Sequence, residues 1–258
     1  MTQRWKITVE YDGACYAGWQ RQAQDMTVQQ ALEEAVFAFS GEAVRLFVAG
    51  RTDAGVHALG QVAHFDLDKE LDEKSVRDAI NAKLRAAGRH GISVLEACAV
   101  APDFHARFSA QKRSYLYRIL AGRTAPPALD TGRVWHIRHP LDVQAMNEAA
   151  AFLIGHHDFS SFRAAGCQAE NAIRTLETCT VTETVEEFSG AQRITIRVEA
   201  KSFLYHQVRN IAGSLVKVGR GKWPPEKIKE VLEACDRTKA AETAPAHGLY
   251  FLRVDYAA

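Results

Sequence analysis

The hydrophobic positions at the start of the chain repeat with two different spacings. Residues 4–11 are apolar at every second position, which predicts a strand with one buried face. Residues 28–39 carry apolar side chains three and four positions apart, which predicts an amphipathic helix. Thr27 precedes that helix, and its hydroxyl is suited to accept a backbone N–H at the N-cap position. A strand followed by a capped helix therefore opens the chain.

The same spacings predict the remaining elements of the first half. They are strands at 43–49, 61–67 and near 92–97, and a helix at 73–86. The first two of these strands are joined by the loop Ala49–Ala58, which reads AGRTDAGVHA.

The second half repeats this order. It has a predicted strand at 113–120, a helix from about Asp142, strands around 176–183 and 193–200, and a helix that starts at Leu204 and ends at Gly219 and Gly221. The helical segments beginning at Val28 and Val143 share several identical positions, which internal duplication and helix composition explain equally well. We predict an α+β fold of two subdomains with similar topology, residues 1–110 and 111–258, joined through a partly structured connection at 121–142.

Composition and cysteine usage narrow the class of protein. The chain has 258 residues and 47% hydrophobic content, enough for a sizeable core, and no apolar run long enough to span a membrane. Its first residues do not resemble a signal peptide, so we expect a cytoplasmic protein. The five cysteines are scattered and never form a Cys-x-x-Cys pair, which favours structural thiols over a disulfide framework or a zinc site.

Charge is unevenly distributed along the chain, although the net charge is only +1. Acidic residues concentrate at 66–73 and 183–187, whereas basic residues concentrate in HARF, KRSYLYR and KSFLYHQVRN. Local potential, and not total charge, governs phosphate binding, so a basic groove is compatible with this composition. Ordinary solvated faces are the other interpretation.

The loop at 49–58 contains one carboxylate, Asp53, between Arg51 and His57. Gly50 and Gly55 bracket it, which indicates unusual backbone angles or a close approach to another segment. An acid held among basic residues is a candidate catalytic group. The alternative is a turn between two strands whose aspartate caps a backbone N–H.

Two segments place aromatic side chains beside polar or charged ones. Trp19 lies in a turn-rich segment and offers a flat ring beside the hydrogen-bonding side chains of Gln20 and Arg21. In the strand at 113–120, alternation places Arg113, Tyr115 and Tyr117 on one face, a surface suited to stack on an unpaired base. Two core tyrosines would give the same pattern, and the sequence leaves both interpretations open.

Cations in the predicted helix from Leu204 fall into two groups. Arg209 is expected mid-helix in a buried segment, on one face with Tyr205, and needs an anionic partner to offset desolvation. Asp53 is the natural candidate, and an arginine beside it would favour the ionised carboxylate. Lys217, Arg220 and Lys222 instead lie at the helix C-terminus, where cations are favourable without any ligand.

Several of these segments together resemble the tRNA pseudouridine synthase A family. The resemblance rests on YDGACYAGWQRQ, AGRTDAGVHALGQVAHF, FHARFSAQKRSYLYRI, GHHDFSSF and FLYHQVRNIAGSLVKVG, in family order over nearly the whole chain. It implies an isomerase that converts uridine to pseudouridine at positions 38, 39 and 40 of the anticodon stem-loop of tRNA. It further implies a homodimer, a basic cleft between the two subdomains, and neither a cofactor nor a metal.

The resemblance also assigns roles to four residues. Asp53 matches the essential aspartate, Arg51 the arginine that displaces the target nucleotide, Tyr115 the tyrosine that packs on the target base, and Arg209 the partner of the aspartate. His57 receives no chemical role. Two other functions remain open from the residues alone: an RNA-binding module without catalysis, and a hydrolase that uses Asp53 with His57.

Overall fold

The computed structural model describes residues 2–69 and 71–257. The chain divides into two compact units, one formed by Met1–Gln111 with Phe251–Ala258 and the other by Lys112–Tyr250. Among the described residues, no helix is long and apolar enough to cross a membrane. Each unit combines helices with mostly antiparallel strands, so the predicted α+β class is confirmed.

The first unit is built on a central strand. Its elements are β1 (Gln3–Tyr11), α1 (Val28–Ser40), β2 (Phe47–Val48), β3 (His57–Leu67), α2 (Glu73–Ala86) and β4 (Ile92–Val100). Strand β1 pairs antiparallel with β3 on one side and with β4 on the other, and β2 pairs with β3. The buried face of this sheet and the helix stripes supply the core, which includes Trp5, Ile7, Leu32, Phe65, Ile80 and Leu84.

Local capping explains why the two helices of this unit were predictable. The Thr27 hydroxyl accepts the Gln30 N–H at 3.3 Å, and Asp72 Oδ1 accepts the Ser75 N–H at 3.0 Å. Each bond satisfies a backbone donor that has no partner within its helix. The helices predicted at 28–39 and 73–86 are confirmed.

The strand predicted at 43–49 is wrong in extent. Only Phe47–Val48 forms a ladder, because the Leu46 N–H donates to Glu33 Oε1 of α1 at 3.0 Å. A helix side chain thus replaces the strand partner that the alternating pattern implied. Strand β3 begins at His57 rather than at residue 61, so the end of the candidate loop belongs to the sheet.

The second unit has a sheet of similar design. Its elements are β5 (Ala110–Ala121), β6 (Trp135–Ile137), α3 (Val143–Ala151), β7 (Gly155–Asp158), β8 (Ile173–Val185), β9 (Gln192–Ala200), α4 (Gln207–Gly219) and α5 (Lys227–Glu233). The last strand, β10 (Leu249–Tyr256), starts in this unit, and its residues from Phe251 onward belong to the first unit. Strands β5, β9, β8 and β7 are neighbours in that order and antiparallel, and the short β6 runs parallel to β5.

The two units share a topology. In each, a long first strand and a helix precede a strand that pairs antiparallel with the first: β3 with β1, and β9 with β5. The strand just before that one pairs with it, β2 with β3 and β8 with β9. A second helix then follows, α2 in one unit and α4 in the other. The prediction of two subdomains with similar topology is confirmed at this level.

Two boundaries differ from those the sequence suggested. Helix α4 starts at Gln207 and not at Leu204, because His206 adopts a left-handed conformation with φ of 58° and interrupts the helical path. Residues 251–258 were placed in the second subdomain, yet they group with the first unit. The predicted subdomains were continuous stretches of sequence, and such a division cannot assign the last residues of the chain to the first unit.

Candidate active site

The candidate loop leaves the sheet at Ala49 and returns to it at His57. The Ala49 N–H donates to the Val62 carbonyl oxygen at 2.8 Å, and the buried Gln61 side chain donates to the Gly50 carbonyl oxygen at 2.8 Å. Both contacts lie on β3, so the strand that follows the loop also fixes its start.

Thr52 anchors the middle of the loop. Its side chain is buried, and its hydroxyl lies 2.7 Å from the Tyr11 hydroxyl at the end of β1. Its carbonyl oxygen accepts the Trp19 N–H at 3.0 Å. Burial raises the pKa of Tyr11 to about 12, so the phenol stays protonated and remains a neutral partner. The residue immediately before Asp53 therefore has a fixed position.

Glycines allow two other segments to pack tightly against this loop. A Cβ added at Gly13 would lie 2.1 Å from the Val56 carbonyl oxygen, and one at Gly18 would lie 2.6 Å from the Thr52 carbonyl oxygen. Gly55 has φ of 78° and closes a turn in which the Val56 N–H donates to the Asp53 carbonyl oxygen at 3.1 Å. The bracketing glycine at 55 thus has the backbone role that the sequence indicated.

His57 holds the neighbouring turn. It is 2% exposed, and its Nδ1 accepts the Gly13 N–H at 3.1 Å, with Asp12 Oδ1 also 3.1 Å from Nδ1. Because the His57 ring is buried and accepts a backbone N–H, it positions the turn at Gly13. This role gives no support to a hydrolase in which His57 is the catalytic base.

Arg51 and Asp53 are the reactive side chains of the loop that reach the surface. Arg51 is exposed, and it has no hydrogen bond or ion pair within the part of the chain described. Asp53 is partly exposed. Because the backbone is pinned at Gly50, Thr52 and Val56, both side chains project from a rigid segment.

Trp19, whose ring the sequence places beside Gln20 and Arg21, is a core residue. It is 1% exposed, and its ring lies 6.0 Å from that of Tyr11 in a tilted arrangement. The apolar ring fills the core beneath the loop, and burial of that large surface outweighs any benefit of exposing it.

The two tyrosines of β5 have different environments. Tyr117 is fully buried and donates to the Pro245 carbonyl oxygen at 2.8 Å, and burial raises its pKa strongly. Gly248 packs so closely that a Cβ there would lie 2.6 Å from the Tyr117 ring. Tyr115 is 9% exposed and meets Phe203 edge to face, with ring centroids 5.0 Å apart. Tyr117 is therefore a core residue, and Tyr115 is the remaining candidate for base contact.

Arg209 lies in the first turn of α4, so its predicted mid-helix position is wrong. Its Nε donates to the Ala244 carbonyl oxygen at 2.8 Å, and the Ala244 N–H donates back to the Arg209 carbonyl oxygen at 3.2 Å. One terminal nitrogen lies 3.1 Å from His206 Nε2. Tyr205 precedes the helix and stacks on His206 at 3.9 Å, so it does not share a helical face with Arg209.

Ala244 contacts Arg209, and the segment that leads to Ala244 is held against α4 by further contacts. Asn210 Oδ1 accepts the Thr243 hydroxyl at 2.6 Å and an Arg237 N–H at 3.1 Å. Ser214 Oγ accepts the Ala241 N–H at 3.2 Å. A Cβ added at Gly213 would lie 2.0 Å from the Glu242 carbonyl oxygen. The motif VRNIAGSL thus fixes the backbone that orients the Arg209 guanidinium.

A buried carboxylate network lies in the second unit and was not found from the sequence. Glu199 Oε1 accepts from Ser114 Oγ at 2.9 Å and from Arg197 at 2.8 Å, and Oε2 accepts from Thr178 at 3.2 Å. Burial acts to raise the pKa of Glu199, but the bonds from Ser114 and Arg197 outweigh it and lower the pKa overall. The only sequence signal is a polar residue at an inward position of β9.

The predicted pair of Asp53 with Arg209 joins residues of different units and stays a prediction. The same holds for the meeting of Tyr115 with Asp53. Within residues 2–69 and 71–257, no group of three His, Cys, Asp or Glu side chains is arranged to hold a metal ion.

Comparison with known proteins identifies the class. A family model described as tRNA pseudouridine synthase matches residues 7–109 and 149–257. The chain therefore belongs to the tRNA pseudouridine synthase family, and the prediction of an isomerase that acts on tRNA is confirmed.

The chain is similar to named members of that family. A protein of Rhodospirillum rubrum named tRNA pseudouridine synthase A is 53% identical over 98% of this chain and 87% of its own length. Proteins of the same name from Bartonella henselae and Mesorhizobium japonicum are each 51% identical over 98% of this chain and 99% of their own lengths.

Proposed function

We propose that this enzyme converts uridine to pseudouridine at positions 38, 39 and 40 in the anticodon stem-loop of tRNA, with Asp53 as its catalytic residue. The observation that carries the proposal is the loop at 49–56, which holds one carboxylate, partly exposed, on a backbone pinned at three points. The relatives named tRNA pseudouridine synthase A support the choice of substrate.

The reaction needs one carboxylate and no redox step. The C1′–N1 glycosidic bond breaks, the uracil turns, and a C1′–C5 bond forms while the C5 proton is lost and N1 gains one. An ionised Asp53 serves as a nucleophile at C1′ or C6, or as a base towards the 2′ proton. All these routes leave the mass of the RNA unchanged.

The other site residues prepare the uridine. A target stacked in an RNA stem must be flipped out, which costs roughly a few kcal/mol. Arg51, exposed and two positions from Asp53, fills the vacated space. Tyr115 then packs on the flipped uracil, a stacking contact worth about 1–3 kcal/mol. A pairing of Arg209 with Asp53 belongs to the same proposal and would fix the direction of the carboxylate.

The proposal includes a homodimer and a basic cleft that receives the tRNA. It also places the enzyme in the cytoplasm, as the sequence led us to expect.

Substitution of the carboxylate tests the catalytic role. Asp53→Asn should abolish pseudouridine formation on unmodified tRNA while the dissociation constant for tRNA stays within about threefold of wild type, since the amide retains the shape of the side chain. Asp25→Asn, at an exposed position of the first unit, is the matched control and should retain wild-type activity. Full activity of Asp53→Asn would reject Asp53 as the catalyst and leave a role in RNA binding only.

A further inference from the structure

The C-terminal end of α4 borders a basic pocket outside the candidate active site. After Gly219 the chain turns through Gly221, which has φ of 65°, and runs back over the helix end. The N–H groups of Lys222 and Trp223 both donate to the Lys217 carbonyl oxygen, at 3.0 and 3.3 Å. Because of this reversal, the side chains at the helix end and those just after it line one hollow. They are Lys217, Arg220, Lys222 and Trp223.

A second segment supplies the opposite wall. Residues 237–242 run beside α4 and are held there by Arg237, Ser214 and the close approach at Gly213. Thr238, Lys239 and Glu242 of this segment face the same hollow, whose volume is about 500 Å³. Two segments distant in sequence therefore build the pocket, and both are fixed to the same helix.

The residues that line the pocket carry a net positive charge. Its cations are Lys217, Arg220, Lys222 and Lys239, and its single carboxylate is Glu242. Glu242 lies 3.3 Å from Lys217, which leaves the other three cations without an ion pair within the described part of the chain. Like charges held close together repel, so an anion between them is favoured.

Helix capping does not account for this arrangement. The carbonyl oxygens of Val216, Lys217 and Val218 already accept backbone N–H groups at 2.7–3.3 Å, and the Gly219 carbonyl accepts the Asp142 N–H at 2.9 Å. The helix end is thus satisfied by backbone donors. Lys239 belongs to the opposite wall and not to the helix. A favourable interaction of cations with the helix end therefore does not explain the position of Lys239.

Trp223 adds an aromatic surface to the cationic one. Its side chain lines the pocket and is partly exposed, unlike Trp5 and Trp19, which are each 1% exposed in the core. Cations that bind phosphate beside a ring that stacks on a base are the usual means of holding an RNA strand without reading its sequence. The hollow is large enough to take a nucleotide and polar enough to keep it hydrated.

We propose that this pocket is a second contact site for the tRNA substrate, in which Arg220, Lys222 and Lys239 bind backbone phosphate and Trp223 packs against a nucleoside. The inference rests on tRNA being the substrate. It assigns a binding role to a part of the second unit that takes no part in the chemistry. A contact of this kind raises affinity for the whole tRNA and leaves the reaction at the bound uridine unchanged.

A triple substitution of the unpaired cations tests the inference. Arg220→Ala/Lys222→Ala/Lys239→Ala should weaken tRNA binding about tenfold near 0.1 M salt and reduce the slope of log K against log salt by about 1–2. The single-turnover rate at saturating tRNA should equal that of wild type. The charge-conserving Arg220→Lys/Lys222→Arg/Lys239→Arg variant should restore both the affinity and the salt slope.

A matched control removes the same charge from another exposed surface. Lys74→Ala/Lys83→Ala/Arg85→Ala on α2 should change the dissociation constant and salt slope less than the pocket variant does. Competition with inorganic phosphate distinguishes a site for free anion from one for RNA, since millimolar phosphate should not displace tRNA. Displacement at that concentration would overturn the assignment to RNA.

The outcome can be separated from that of the proposed function. If wild type modifies tRNA and the pocket variant binds tRNA with unchanged affinity and salt slope, the pocket is not a tRNA contact and the inference is wrong. If wild type neither binds nor modifies tRNA, the proposed function and this inference both fail. Cross-linking of 4-thiouridine-substituted tRNA to a peptide containing Trp223 would locate the contact directly.

Discussion

Gly13 lies so close to Val56 that a Cβ at position 13 would stand 2.1 Å from the Val56 carbonyl oxygen. The first turn of the chain is therefore packed directly against the end of the loop that carries Asp53. His57, the residue after Val56, accepts the Gly13 N–H, so two neighbouring residues fix the position of Gly13. The position of the candidate catalyst depends on a residue about forty positions earlier in the chain.

Gly13→Ala should displace the loop and lower activity more than stability alone explains. Overpacking of this kind costs about 1–3 kcal/mol, and a displacement near 1 Å in a catalytic group reduces the rate about 100-fold. Thermal unfolding and single-turnover pseudouridine formation measure the two effects. Gly41→Ala is the control, because position 41 has φ of 78° but open space around it. It should lose about 1–2 kcal/mol of stability and keep its single-turnover rate.

Arg51→Ala should impair turnover of folded tRNA more than it impairs binding. Without a side chain to occupy the vacated space, extrusion of the uridine costs more while contacts elsewhere persist. We expect the single-turnover rate to fall at least tenfold and the dissociation constant to change less than threefold. Arg85→Ala, an exposed arginine on α2, is the control and should match wild type in both. An unchanged single-turnover rate for Arg51→Ala would remove Arg51 from the reaction.

Thr243→Val should loosen the segment that orients Arg209. The substitution removes the 2.6 Å hydrogen bond to Asn210 and leaves that amide oxygen with one donor fewer, a loss of about 1–2 kcal/mol. Chemical denaturation should show this loss, and the single-turnover rate should fall as the Ala244 carbonyl shifts. Thr238→Val is the matched control, since its hydroxyl bonds the exposed end of Asp236 at 2.8 Å. Equal stability of the two variants would argue against the proposed link.

His64 should make the protein less stable in mild acid. Burial, followed by the nearby charges of His105 and Arg4, lowers the pKa of His64 to about 4. The unfolded chain, with a pKa near 6.5, binds a proton that the folded chain does not, so stability falls as the pH falls from about 6.5 to 4. The Ala106 N–H donates to His64 Nδ1 at 3.1 Å, and an asparagine oxygen replaces that acceptor.

His64→Asn should therefore unfold with a smaller dependence on pH in this window. We expect the difference between pH 6.5 and 4 to shrink by about 2 kcal/mol relative to wild type. Denaturant midpoints measured across the range provide the comparison. Parallel pH profiles for the two proteins would show that His64 does not contribute.

The sequence predicted those parts of the fold that local chemistry determines. Thr27 and Asp72 cap their helices through their own side chains, so both helices could be placed within a few residues. The strand at 43–49 failed because Glu33, from a distant turn of α1, takes the Leu46 N–H. Strand β10 was missed because most of it belongs to the first unit, whose other residues lie far away in the chain. Tertiary contacts outweigh local pattern in each of these cases.

The residues of the candidate site show the same division between local and distant contacts. Asp53, Arg51 and Gly55 stood out because a carboxylate between glycines and cations is rare in an ordinary turn. Trp19 and Tyr117 were ambiguous, since a ring beside a cation looks the same in a core as on a surface. The position of Arg209 depended on where α4 begins, and the left-handed His206 that sets this start has no signal in the sequence. Lys239 lines the same pocket as Arg220 and Lys222 but lies seventeen or more positions later in the chain, so the sequence does not show that these cations form one cluster.

The central claim is that this chain isomerises uridine in the anticodon arm of tRNA through Asp53. Unmodified tRNA labelled with tritium at uridine C5 tests it most directly, because formation of the C1′–C5 bond releases that tritium to water. Wild type should release tritium from uridines at positions 38, 39 and 40 and from no other position, and Asp53→Asn should release none. Release from other positions alone, no release by wild type, or equal release by Asp53→Asn would contradict the account.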